Sequence, residues 1–203
     1  MVWEMQWEVD FLTMLGNFHG TSVIIDNLMI FFSMLGNAGI LWIGIGLVML
    51  VPEKTRKWGF QMLCAMALTF IIGNLILKNL FHRTRPYFVH EELDAMRLVA
   101  RPSEYSFPSG HTMNGITGAL TMIFWDKRFG IPAMVVAVII SFSRLYNTVH
   151  YPTDVIAGVG IGVVSACIIQ MVFRKIEKKN PAWLQKVSSK VYRKKASKED
   201  KNA

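Results

Sequence analysis

Two stretches of this chain, residues 28–51 and 58–77, contain no charged side chain. A helix of about 20 apolar residues crosses the hydrocarbon core of a bilayer, so each run is long enough to span it. Hydrocarbon offers no partners to backbone N–H and C=O groups, so a spanning segment must satisfy them internally, as a helix does. Further apolar segments follow at 112–125, 130–147 and 155–173. The first two are short for a full crossing, a length that neighbouring helices make tolerable when they shield it inside a bundle. The pattern predicts an all-α, multi-pass transmembrane bundle of five to six helices.

Composition agrees: 52% of the 203 residues are hydrophobic and only 18% are charged. The net charge of +8 sits in short loops and in the tail after Phe173, a membrane distribution that gives no reason to expect a nucleic-acid partner. Cys64 and Cys167 lie inside apolar runs, so no disulfide framework, metal spacing or cofactor is expected. The N-terminus has neither a basic region nor a small-residue cleavage site, and no cleaved signal peptide is expected.

Three segments are distinguished. Residues 1–26 carry Glu4, Glu8, Asp10 and Asp26 and no Lys or Arg. Trp3, Trp7, Phe11 and Met14 recur there at helical spacing, which suits an amphipathic helix in the membrane interface or a short helix packed on the bundle. Residues 27–175 form the membrane domain, with a kink expected at Gly36-Asn37. Residues 176–203 form a basic tail suited to an anionic cytoplasmic leaflet. If that tail and the loops at 52–57 and 126–129 are cytoplasmic, five spans alternate and the acidic N-terminus is outside. The 79–111 loop and the 145–153 turn then share the outer face, together with Arg83, Arg85, Arg97, Arg101 and Arg144. Cations on the disfavoured side need a reason, and binding an anion is one. A loop as long as 79–107 is more often a lid or binding segment than a connector.

Removing a phosphate without a metal requires cations for the phosphoryl oxygens, a nucleophile, and an acid for the leaving oxygen. Lys78 supplies a point charge, while Arg85 and Arg144 each offer a planar fork. In Pro108-Ser109-Gly110-His111, Ser109 is placed to cap a helix and Gly110 lets backbone approach an anion. Asp154 follows His150 by four residues, near enough to accept from its ring and leave the other nitrogen free. That partner favours His150 as nucleophile and leaves His111 as proton donor. Taken singly, Arg144 reads as a snorkelling anchor and each histidine as an interfacial polar residue. Arg83, Arg97, Arg101, His82 and His90 read as solvated loop residues or a headgroup-attracting patch. The joint placement at one face carries the functional reading.

Lys78-x6-Arg85-Pro86, Pro108-Ser109-Gly110-His111 and Ser143-Arg144-x5-His150-x3-Asp154 resemble, position for position, the three-part signature of the type 2 phosphatidic acid phosphatase superfamily. The resemblance extends over about residues 28–173. It implies metal-independent hydrolysis of a membrane lipid phosphate or pyrophosphate, such as undecaprenyl pyrophosphate, phosphatidylglycerol phosphate or phosphatidic acid. Lys78, Arg85, Arg144, Ser109 and Gly110 would hold phosphate, His150 oriented by Asp154 would form a phosphohistidine, and His111 would protonate the leaving oxygen. It further implies a bacterial cytoplasmic membrane location with the site facing outward. The family's usual core has six helices, against five clear spans here. A lipid headgroup phosphotransferase and a non-enzymatic lipid-binding or transport protein are the alternatives, while the soluble haloperoxidase branch is excluded by the apolar spans. Nothing in the pattern fixes an oligomeric state.

Overall fold

The computed structural model describes residues 4–179, so Trp3 and residues 180–203 of the basic tail lie outside it. Every regular element among these residues is helical. Helix α1 spans Gln6–Gly16, α2 Val23–Leu35 and α3 Ile40–Leu50. Helix α4, Glu53–Phe70, runs on through a π-helical stretch, Ile71–Leu77, into α5, Lys78–Phe81. Two short helices, α6 (Pro86–Val89) and α7 (Glu91–Ala95), interrupt the long polar loop. Helices α8 (Gly110–Trp125), α9 (Lys127–Tyr146) and α10 (Pro152–Lys179) complete the bundle.

The interior holds many polar and charged groups beside its apolar core, and the exterior is rich in large apolar side chains. Buried side chains include Gln61, Thr69, Lys78, Arg83, Arg85, Arg144, His150 and Asp154, whereas Ile24, Val51, Leu80 and Ile156 are each about two-thirds exposed or more. An exposed apolar surface of this extent needs lipid around it. Three segments are long and apolar enough to cross a membrane: Glu53–Val89, Lys127–Tyr146 and Pro152–Lys179. Helices α2 and α3 make a fourth if taken as one span bent by 48°. The multi-pass helical bundle is therefore present, with three or four crossings evident by length rather than five to six. The kink expected at Gly36-Asn37 is a full break, a 3₁₀ turn at Asn37–Gly39 in which Ala38 (φ 50°) and Gly39 (φ 67°) adopt left-handed backbone.

Helix α8 explains part of the shortfall. Its 16 residues rise only about 24 Å. It packs against α4, α9 and α10 at the centre, with Thr112, Met113, Gly115, Ile116, Thr117, Ala119 and Thr121 buried, so protein rather than lipid surrounds it. Between helices that share an apolar solvent, close packing and hydrogen bonds replace the hydrophobic drive. Thr69 and Thr117 hydroxyls meet at 2.9 Å, Thr117 donates to the Gly162 carbonyl at 3.3 Å, and the Gln61 amide donates to Gln170. Together these tie α4, α8 and α10.

Helix α1 docks on the bundle through Val9 and Leu12, which cluster with Leu93 and Tyr151, while Trp7 and Met14 remain exposed. Glu8, which lies off the Trp7, Phe11 and Met14 stripe, is fully buried.

The α3–α4 pair is set by glycine, since a Cβ on Gly59 would lie 2.6 Å from the Gly46 carbonyl oxygen and 2.9 Å from the Leu50 nitrogen. Gly59→Val is expected to destabilise the bundle by about 1–3 kcal/mol. The readout is the thermal midpoint in detergent. Gly44→Ala, whose Cβ would meet nothing within 4 Å, should leave the midpoint unchanged.

Candidate active site

A cavity of about 390 Å³ opens where α5, α8 and the α9–α10 turn meet, lined among others by Lys78, Arg85, Gly110, His111, Arg144 and His150. Six of the eight sequence-predicted residues thus line one cavity, and Asp154 stands directly behind His150. Ser109 is not part of the lining.

Arg85 is the N-cap residue of α6, its extended backbone followed by Pro86 in the first turn. Its guanidinium spans the site: Nε donates to the Glu104 carbonyl at 2.7 Å, and Nη1 to the Val149 carbonyl at 2.9 Å and to His150 Nε2 at 3.1 Å. The last bond requires a lone pair on Nε2, which assigns the ring proton to Nδ1. Arg144, in the last turn of α9, donates from Nη1 to the Ser33 hydroxyl, while its buried Nε has no hydrogen-bond partner. Lys78 is reached through the π-helical stretch, a local widening often associated with functional sites. Its ammonium pairs with the Glu104 carboxylate, and that cation holds Glu104 below the usual carboxylate range.

His150 lies in the turn between α9 and α10 and is essentially inaccessible. Burial, reinforced by Arg85, Arg144 and Lys78, holds its pKa well below the ordinary imidazole value, so the ring is neutral at physiological pH. The expected Asp154 contact is present but long, 3.4 Å from Nδ1 to Oδ2. Ser106 explains the length. Its hydroxyl donates to the same Oδ2 at 2.5 Å and lies 3.5 Å from His150 Nδ1, so it stands beside the pair as a second link. Tyr151 N also donates to Oδ2, at 2.9 Å.

On the opposite wall, His111 Nε2 lies 3.1 Å from the Ser33 carbonyl and 3.0 Å from Asn37 Oδ1, two acceptors that require Nε2–H. The α2–α3 break thus holds this ring. Ser109 occupies the N-cap position of α8, yet its side chain caps nothing: the hydroxyl accepts from Thr112 at 3.1 Å. Gly110 faces the cavity with open space, since a Cβ there would meet only Asn74 Oδ1 at 3.7 Å.

The sequence reading of Arg83 as a solvated loop residue is corrected by its complete burial. Its Nη1 donates to Asp154 Oδ1 at 2.5 Å and its Nη2 to Glu8 Oε2 at 2.8 Å. Neither Arg83, Ser106 nor Glu8 stands at a signature position, and their partners are distant in sequence, so no local pattern marks them. The other loop groups form surface pairs: Arg97 and Arg101 hold Asp94, His90 meets Glu4, and His82 packs edge-on against Tyr105. Among the described residues no cluster of three or more His, Cys, Asp or Glu is arranged to hold a metal.

The His111 ring also depends on a glycine, because a Cβ on Gly36 would fall 2.6 Å from His111 Cδ2. Gly36→Ala is expected to lower turnover more than stability by displacing this ring. Initial rates beside thermal midpoints in detergent check it, and a loss of turnover no larger than the loss of stability in Gly36→Ala would dissociate the ring from catalysis.

The fold and the pocket can be set beside known proteins. Residues 58–178 match the family model described as the PAP2 superfamily. An undecaprenyl-diphosphatase of Sulfolobus acidocaldarius is 33% identical over 136 residues, 66% of this chain. The match spans 64% of that relative's length, just under two thirds. Among solved structures, a transmembrane PAP2-type phosphatidylglycerolphosphate phosphatase from Bacillus subtilis superimposes with a TM-score of 0.67 at 26% identity, covering 84% of this chain and 86% of the other. Aquifex aeolicus LpxE gives a TM-score of 0.70 at 24% identity over 84% of this chain and 99% of the other, a likeness of fold. With the matched region taking in Lys78, Arg85, His111, Arg144, His150 and Asp154, the chain belongs to the PAP2 superfamily.

Proposed function

We propose that this protein hydrolyses a membrane lipid phosphate or diphosphate in the cavity between Lys78, Arg85, Arg144 and His150. The observation that carries the reading is His150 Nε2, unprotonated and 3.1 Å from Arg85 Nη1 inside a pocket lined by three cations. The names of the relatives, an undecaprenyl-diphosphatase and a phosphatidylglycerolphosphate phosphatase, support the same substrate class. The cations and the Gly110 backbone receive the phosphoryl oxygens. His150 Nε2 attacks phosphorus, the bond to the leaving oxygen breaks, and His111 supplies that oxygen with a proton. Water then attacks the phosphohistidine, releasing orthophosphate and restoring His150.

In the membrane, we place α8 as a short, protein-shielded fifth crossing, with the site at the extracytoplasmic face and the C-terminus in the cytoplasm. Residues 1–26 lie along the interface, residues 27–175 form the enzyme domain and the tail from 176 meets the anionic leaflet. Positive-inside accounting supports this arrangement.

Phosphate release from the detergent-solubilised chain, assayed with undecaprenyl diphosphate, phosphatidylglycerol phosphate and phosphatidic acid, tests the reading. Activity on at least one lipid, undiminished by EDTA, is expected. His150→Ala should lose about a thousandfold or more in kcat, and acid-labile phosphoenzyme should be trapped in the wild type only. Full activity in His150→Ala would overturn the nucleophile assignment.

The pH profile gives a second test. His150 attacks as the free base, and its pKa is depressed, so the acid limb of kcat/KM should fall below the ordinary histidine value of about 6.5. Replacing a contributing cation, as in Lys78→Met, should move that limb upward.

A further inference from the structure

Among the described residues of the acidic N-terminal segment none lines the cavity, yet two of its carboxylates, Glu4 and Glu8, are aimed at the turn that carries His150. Glu8 is fully buried. Its Oε1 accepts from the backbone of Thr153 at 3.1 Å and from the Thr153 hydroxyl at 2.6 Å, so it caps the first turn of α10 from outside that helix. Its Oε2 accepts from Arg83 Nη2 at 2.8 Å. One turn earlier, Glu4 accepts from the Tyr151 hydroxyl at 2.5 Å and from His90 Nε2 at 3.0 Å.

Arg83 joins this grip to the site. The same guanidinium donates from Nη1 to Asp154 Oδ1 at 2.5 Å and to Thr153 Oγ1 at 2.7 Å, and it lies 4.0 Å over the Tyr151 ring. Held at Oδ1, Asp154 presents Oδ2 to Ser106, Tyr151 N and His150. A planar fork serves two carboxylates at fixed angles, which a lysine ammonium does not reproduce. Apart from the Glu8–Arg83 and Glu4–His90 pairs, these contacts fall on residues 151–154, immediately after His150.

We infer that the N-terminal segment is a clamp on the catalytic turn, with Glu8 and Arg83 as positioning residues that fix Asp154 and, through it, the His150 ring. The inference rests on His150 being the nucleophile. It separates two parts of the machinery: Lys78, Arg85 and Arg144 grip phosphate without the clamp, whereas the attacking ring depends on it. Loss of the clamp therefore lowers kcat and leaves KM nearly unchanged.

The test uses the full chain in detergent, with undecaprenyl diphosphate and phosphatidylglycerol phosphate as substrates. Glu8→Gln keeps the shape of the side chain and removes its charge, and is expected to lower kcat about tenfold with KM within about twofold. Arg83→Gln should lose about a hundredfold, with partial recovery in Arg83→Lys. The Glu8→Gln/Arg83→Gln double variant should be no slower than Arg83→Gln alone, because the two act as a unit. Wild-type kcat in folded Glu8→Gln and Arg83→Gln, additive losses in the double variant, or a rise in KM without a fall in kcat would overturn the clamp. If Arg83→Gln does not fold, Glu8→Gln decides, and an unchanged kcat there overturns it. His150→Ala runs in parallel. Full activity in that variant removes the nucleophile and the clamp together, whereas an inactive His150→Ala beside wild-type Glu8→Gln removes the clamp alone.

Discussion

Burying an ion costs several kcal/mol unless partners restore what water supplied, and among the described residues four cations are buried beneath an apolar exterior. How each is compensated divides them. Arg83 lies between the carboxylates of Glu8 and Asp154 and is matched within the protein. Among the described residues neither Arg85 nor Arg144 has a carboxylate as a hydrogen-bond partner: Arg85 relies on two carbonyls and a neutral imidazole, and Arg144 on one serine hydroxyl. Lys78 leans on Glu104, whose side chain is two-thirds exposed and comes from the long loop. The positive charge left uncompensated by protein is concentrated around one cavity, where a phosphate dianion would complete it. The cations of the cavity thus differ from the internally matched Arg83 by what they lack.

The parts of this arrangement that were legible in the sequence are those written locally. Charge-free runs predict helices because hydrocarbon permits little else, and the spacing of Lys78, Arg85, His111, Arg144, His150 and Asp154 holds because each sits at a helix end or in a turn next to one. The legible parts stop where partners are remote. Glu8 meets Arg83 across 75 positions and Thr153 across 145, so its acidity reads as a topology signal rather than as a buried ligand. Ser106 carries no signature and becomes visible only once it stands between His150 and Asp154. Ser109 shows the opposite limit, a residue suited to capping whose hydroxyl instead accepts from Thr112.

The number of crossings is less legible for a related reason. Apolarity marks a helix that faces lipid, and α8 faces other helices, so glycine and threonine take the places where leucine would otherwise stand. Those small residues allow close approach: a Cβ on Gly118 would strike the Trp42 ring at 2.6 Å, and one on Gly162 would meet the Met113 carbonyl at 2.9 Å. Close packing around α8 also fixes the α8 N-terminus, and with it Gly110 and His111, against the more peripheral α2–α3 break. The least lipid-like helix is therefore the one that carries part of the site.

The bond between Arg85 Nη1 and His150 Nε2 bears on how the proposed reaction would begin. In the unliganded pocket that N–H occupies the lone pair needed for attack, and burial together with the surrounding cations keeps the ring from taking a proton instead. A phosphoryl oxygen is a stronger acceptor than a neutral imidazole because it is charged. As it enters, it competes for the Arg85 N–H and releases Nε2 at the moment phosphorus comes within reach. The same anion offsets the field of Lys78, Arg85 and Arg144 and so raises the basicity of the ring they had depressed. On this account one set of cations holds the nucleophile neutral and occupied while the site is empty, and substrate binding frees it and makes it more reactive.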